Sequence, residues 1–179
     1  MTKRRTVYSY NNDWGLYFST DNTGMPTDWT HVELDLNDLV YNGTAHLSAQ
    51  YDIADKYGMI SDWWRWRACF KFQGDPTDGE LLKLYLCAAD NTDATKIDGG
   101  FLQAATGTVA EADLSNADNF GNVDAGQQDS SISSGLVKIV DRYISIAVNN
   151  TTTAAAGDTT DVSGDSWIKL WPVTKIVLP

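Results

Sequence analysis

Imidazoles, thiols and paired carboxylates build most catalytic and metal sites, and this chain is short of the first two. Its 179 residues hold two histidines, His31 and His46, and two cysteines, Cys69 and Cys87. His31 stands two residues before Glu33 in the segment THVELDL, where alternation puts both on the polar side of a strand. A general base there would need a nucleophile or substrate in reach, and a solvated or hydrogen-bonded ring is the ordinary reading. The cysteines lie in separate apolar segments and read as buried, reduced thiols; a disulfide would require neighbouring strands in matching register. No GxSxG, HExxH, Walker A or GxGxxG occurs. The acids are scattered through turns, so no carboxylate pair for glycoside hydrolysis is singled out. DPTDGE (Asp75, Asp78, Glu80) and ADNTDATKIDGG (Asp90, Asp93, Asp98) gather calcium-type oxygen ligands. Neither has EF-hand spacing, and Asp-Gly pairs are common in tight β-turns. The expectation is a chain that is not an enzyme and carries no cofactor and no metal.

The aromatic residues say more. There are seven tryptophans and eight tyrosines. In WWRWRACFKFQ (63–73), Trp64, Trp66, Ala68, Phe70 and Phe72 share one face and predict core. Trp63 falls on the other side with Arg65 and Arg67. Near the C-terminal end, Trp167 and Trp171 share a face with Lys169. Exposed Trp beside Arg is the composition of a protein-interface hot spot and also of a sugar-stacking platform. A second buried face packed under a loop is the structural alternative.

Elements that would position these residues are strands. Besides 63–73, alternation marks Trp29–Leu36, with Thr30, Val32, Leu34 and Leu36 on one side, and Leu81–Ala88, with Leu82, Leu84, Leu86 and Ala88 on one side. GDPTDG between two of them is a turn. Further strands are predicted at Trp14–Ser19, Phe101–Val109, Leu136–Val140, Tyr143–Asn149 and Ser166–Leu178, with Pro172 predicting an edge or bulge in the last. The best helical candidate, Ser48–Tyr57, is short. The sequons at Asn42 and Asn149 read as turns. Many short strands with polar turns predict an all-β fold, an antiparallel β-sandwich.

Charge sets the partners that are excluded. Thirteen basic residues against 24 acidic give a net charge of −11, which argues against nucleic acid and against an anionic membrane surface. No apolar run approaches the ~20 residues of a membrane helix, and the basic start lacks the apolar stretch of a secretory signal, so synthesis in the cytoplasm is expected. From Asp90 to Asp165, twelve acids face only Lys96, Lys138 and Arg142. Residues 1–27 differ again: polar and aromatic, with the basic cluster Lys3, Arg4 and Arg5. They are read as an extended N-terminal arm, and 28–179 as the sandwich domain with an acidic loop insertion at about 110–134.

The order of these segments resembles that of the phage jelly-roll head decoration (cement) proteins. The likeness covers Asp28 to Leu178 and rests on WWRWRACFKF followed by LLKLYLCAADNTD, a strand near 101–109, LVKIVDRYISIAVNNTT with its strand, corner, strand and Asn-Thr loop, and DVSGDSWIKLWPV. The family's DGT-type loop is absent. The resemblance implies a jelly-roll-like, non-enzymatic structural protein on the capsid exterior of the virion. Its partners would be the major capsid protein and itself, as a homotrimer clamping neighbouring coat subunits. The interface would draw on Lys3, Arg4, Arg5, Tyr8, Tyr10, Trp14, Tyr17 and Phe18 of the arm and on Trp63, Arg65, Arg67, Trp167 and Trp171. A tail or head fibre receptor-binding domain and a carbohydrate-binding module are the alternatives.

Overall fold

Period-two alternation decides which segments become strands and which side of each turns inward. In a computed structural model, residues 5–10, 14–37, 39, 44–54, 62–76, 80–89, 106–125, 131–152 and 165–178 are described, with backbone alone at 5–10 and 174–178. Strand β1 is Arg5–Tyr10, β2 Leu16–Ser19, β3 Thr30–Glu33, β4 Thr44–Leu47, β5 Tyr51–Asp52, β6 Trp63–Phe70 and β7 Leu81–Ala89. Then come β8 Gly107–Ala110, a 3-10 helix at Glu111–Asn116, β9 Asp118–Asp124, β10 Ser131–Lys138, β11 Tyr143–Asn150 and β12 Trp167–Leu178.

The strands form two sheets. One runs β10-β6-β12-β2-β3 with β1 attached to β12; the other runs β8-β4-β11-β7-β9 with β5 attached to β11. Take β2, β4, β6, β7, β9, β10, β11 and β12 in chain order as eight successive strands. First, eighth, third and sixth then lie side by side in one sheet, and second, seventh, fourth and fifth in the other. That is the strand order of a jelly roll, so the fold is an all-β sandwich as expected. One pairing departs from the antiparallel expectation: β2 and β3 run parallel, Leu16 opposite Thr30 and Ser19 opposite Glu33.

The core lies between the sheets. Leu16, Phe18, Trp64, Trp66, Phe70, Ile168 and Leu170 from one meet Leu82, Leu84, Leu86, Ile144, Ile146 and Val148 from the other. The alternation over 63–72 and 81–88 is reproduced by the burial. Outside the second sheet, Leu114 of the 3-10 helix covers Ala45, Leu47, Cys87 and Ala147. Hence Cys87 lies on the outer side of that sheet. Cys69, opposite the half-exposed Ile132, lies on the outer side of the other. With an inter-sheet core ~10 Å thick between them, the two buried thiols are free.

Five expectations need correction. The arm does not extend to residue 27. β2 is an inner strand between β12 and β3, with Leu16 and Phe18 fully buried. The acidic segment 110–134 is not only loop: it supplies the 3-10 helix and β9, which pairs with β7. Pro172 sits in a central strand. β12 pairs with β6 from Trp167 to Pro172 and with β2 up to Leu170, then with β1 from Val173. The proline's missing N–H therefore falls where one partner ends and the next begins, so no bulge is needed. Asn149 is buried inside β11 rather than in a turn; Asn42 lies outside the described residues. Residues 101–105 and 55–57 of the expected strand and helix are outside them too, and Tyr51–Asp52 of the expected helix is strand β5.

Glycines close one side of the sandwich. Trp66 packs edge-on against Phe120, centroids 5.5 Å apart, beside Gly121 of β9 and Gly135 of β10. A Cβ at Gly121 would lie 2.3 Å from Trp66 Cζ2. Gly121→Ala should therefore destabilise by about 1–3 kcal/mol, the usual cost of overpacking, read from urea midpoints. Trp66→Phe, which removes the clashing atom, should offset part of that loss in the double variant; simple additivity would refute the contact. The thiols give a second expectation. Without reductant, native protein should react slowly with a thiol reagent and denatured protein should titrate both cysteines; a missing thiol would refute their separation.

Candidate functional site

The outer face of the first sheet collects the side chains that the core rejects. Register places Ser134, Arg67, Lys169, Tyr17 and His31 in one row across β10, β6, β12, β2 and β3. Two residues along, Leu136, Arg65 and Trp171 form a second row, and in the other direction Ile132, Cys69 and Trp167 a third. Odd positions of 63–71 and 167–171 thus share one surface, because every second side chain of a strand points the same way.

The loop from Thr20 to Trp29, which joins the parallel strands, folds back on this face. Tyr17 donates its hydroxyl to the Thr23 carbonyl at 3.0 Å, and Ser19 donates to the Asp21 carbonyl. Thr23 N–H donates to Asp21 Oδ1 at 2.8 Å. Gly24 and Asp28 take positive φ at 74° and 70°. The turn delivers Trp29 onto Trp171, ring centroids 5.9 Å apart. Gly15 makes room for it: a Cβ there would meet the Leu170 carbonyl at 2.4 Å and Trp29 at 2.9 Å.

Two grooves result, on either side of Trp167. One, of about 360 Å³, is lined by Pro26, Trp29, Arg67, Trp167, Lys169 and Trp171. The other, of about 200 Å³, includes Tyr17, Asp21, Lys71 and Asp165, and there Lys71 and Asp165 pair at 3.0 Å. The Lys169 amine lies 4.2 Å from the Trp167 ring centre and 5.3 Å from that of Tyr17, a cation–π arrangement. Burial, and then the neighbouring Arg67 charge, push the Lys169 amine below the ordinary lysine value. Burial pushes the Tyr17 hydroxyl and the Cys69 thiol up. The Thr23 N–H holds Asp21 below the usual carboxylate value.

The sequence-derived site residues divide. Arg65, Arg67, Trp167 and Trp171 are brought together on this face, with Arg65 6.0 Å above the Trp171 ring. Trp63 is 48% exposed at the start of β6. Tyr17 belongs to the face but is buried under the loop, and Phe18 is core. Trp14 packs edge-on against Trp64 at 5.9 Å and supports the core. Arg5, Tyr8 and Tyr10 lie in β1, where backbone alone is described; Lys3 and Arg4 lie outside the described residues. Trp29, Pro26, Ile132 and Leu136 were not anticipated. Parity within SISSGLVK would have found Ile132 and Leu136; Trp29 arrives through a loop, which parity does not reach.

As a sugar platform the face is poorly open. Trp171 and Trp29 are each 8% exposed, and one surface of Trp167 carries Lys169. Both histidines are tied to backbone: His31 Nε2–H donates to the Ser19 carbonyl at 3.0 Å and His46 Nδ1–H to the Asp35 carbonyl at 2.6 Å. Among the described residues no three His, Cys, Asp or Glu are grouped to hold a metal. Asp78, Asp90, Asp93 and Asp98 of the calcium-type loops lie outside them. No helix among them is long and apolar enough to cross a membrane.

Asp21 generates a pH expectation. Its folded value lies below the ordinary 3.8, so its stabilisation is complete above that value and is lost as pH falls through the lower folded one. Between pH about 5 and about 2, wild type should lose stability more steeply than Asp21→Asn in urea titrations; parallel curves would refute the role. In comparisons with known proteins, the chain matches no family model and no curated protein.

Proposed function

We propose that the chain is a structural virion protein: a capsid decoration protein that binds the outside of a phage head and clamps neighbouring major capsid subunits. The observation that carries this reading is the ribbon built from β1 and the second half of β12. Beyond Pro172, β12 leaves β6 and β2 and continues from Val173 to Leu178, paired with β1 from Tyr10 to Arg5. An isolated two-stranded ribbon is marginal in water. Among the described residues no further strand pairs with β1; such an edge is a template for another chain, and strand addition is a recurrent mode of docking. The jelly-roll order and the segment pattern shared with the decoration family point the same way.

Energetically, such a clamp acts by linkage. A ligand that binds only the assembled shell stabilises it by mass action, and many identical contacts reinforce one another through effective concentration. Neither effect requires a cofactor. Subunits would also associate with one another, as homotrimers.

The decisive quantity is the number of copies per purified particle relative to the major capsid protein. A ratio near one, or a simple fraction such as one third, is expected; a handful of copies or none would overturn the reading. Deleting residues 1–13 removes β1 but leaves β2 in the core. That variant should keep cooperative unfolding and lose attachment by about tenfold or more, equivalent to about 1.4 kcal/mol. Undiminished attachment would sink the ribbon as the docking element.

A further inference from the structure

Arg67 and Lys169 stand directly opposite each other on β6 and β12, on the same outer face. Like charges in this position repel. Among the described residues neither makes an ion pair, although Lys71, just past the end of β6, pairs with Asp165. Burial first, and the Arg67 charge second, push the Lys169 amine below the ordinary lysine value. Both cations line the groove of about 360 Å³. Trp171 lines it too, and its buried indole N–H has no hydrogen-bond partner. The rest of the wall is apolar: Pro26, Trp29 and Trp167. A chain of net charge −11 has therefore kept two cations side by side without an ion pair among the described residues, Lys169 resting on the Trp167 and Tyr17 rings.

We propose that this groove is a docking site for an acidic polypeptide segment, whose carboxylate lies between Arg67 and Lys169 while an adjacent apolar side chain lies against Pro26 and the partly exposed Trp167. Charge complementarity selects the anion. A carboxylate between the two cations turns a repulsive cross-strand pair into two charge-assisted contacts. The apolar lining at Pro26 and Trp167 selects polypeptide over a small free anion, which would leave it uncovered. A sugar finds little open ring face, since Lys169 covers Trp167 and Trp171 is packed against Trp29. The inference deepens the reading of the chain as a binding protein by naming the chemistry of one partner surface.

The test uses the intact chain with poly-L-glutamate as the probe, at low and constant ionic strength, followed by tryptophan emission. At long range the net charge of the chain opposes this probe, so binding that depends on two residues is diagnostic. Wild type should bind, more weakly as salt rises. Arg67→Gln/Lys169→Met should bind about tenfold more weakly or worse, and hyaluronan, a carboxylated glycan, should bind wild type more weakly than polyglutamate. The variant should still unfold cooperatively, so that lost binding reads the groove and not the fold. Absence of polyglutamate binding, equal binding by the variant or tighter hyaluronan binding would each overturn the proposal. Copy number on particles is read separately. Absence from particles with Arg67- and Lys169-dependent binding removes only the decoration reading; normal copy number with unchanged binding by the variant removes only this one.

Discussion

Strand β12 is the constraint on which the first sheet depends. It hydrogen-bonds to β6 on one side and β2 on the other, and then to β1. Its even positions enter the core as Ile168 and Leu170, and its odd positions build the outer face as Trp167, Lys169 and Trp171. A shift of one residue would exchange the two sets, burying Lys169 between the sheets and exposing Ile168 and Leu170. Register in this strand therefore fixes the core and the binding face together. Pro172 is tolerated because the sheet changes partner around it.

The outer face shows how a polar surface and a buried one are combined. A row that begins at Ser134 and ends at His31 crosses five strands, yet its centre is partly covered by the loop from Thr20 to Trp29. Polar contacts that hold that cover include those of the Tyr17 hydroxyl, the Ser19 hydroxyl and the Asp21 carboxylate. The two part-buried hydroxyl bonds contribute about 0.5–1.5 kcal/mol each. The tryptophan pair of Trp29 and Trp171 adds apolar contact beneath them. The exposed Lys71–Asp165 pair adds little, since surface ion pairs are worth roughly 0–1 kcal/mol. Apolar packing, more than charge, shapes the grooves; charge then decides what fits them.

Much of this architecture was legible in local alternation. The stretches 63–72 and 81–88 alternate cleanly because one side packs into the core while the other meets solvent or a light cover. The pairing of Trp63, Arg65 and Arg67 on one side follows from the same rule, as does that of Trp167, Lys169 and Trp171. What escaped was non-local. LYFS at Leu16–Ser19 is buried on both sides, so it carries no alternation; the sequence predicts a strand there, but within an arm, not in the middle of a sheet. DNFGNVD is polar because β9 is an edge strand, and its Gly121 is dictated by Trp66 on another sheet. The change of partner at Pro172 depends on strands more than a hundred residues away. Which loop covers the outer face, and hence the shape of the groove, is set by the same long-range contacts.

The position of β12 also governs the order in which the molecule can be made. It follows all the other strands in the chain, yet it occupies the middle of its sheet. Until it is synthesised, β6 and β2 have no common partner, and their facing edges stand open with Trp64, Phe70 and Phe18 uncovered. The second sheet, whose strands are complete by Asn150, can assemble first. Loop closure between β2 and β12 spans nearly the whole chain, a cost that slows folding. The nascent protein therefore passes through a half-built sandwich with an exposed apolar layer, the state most open to mispairing with another copy.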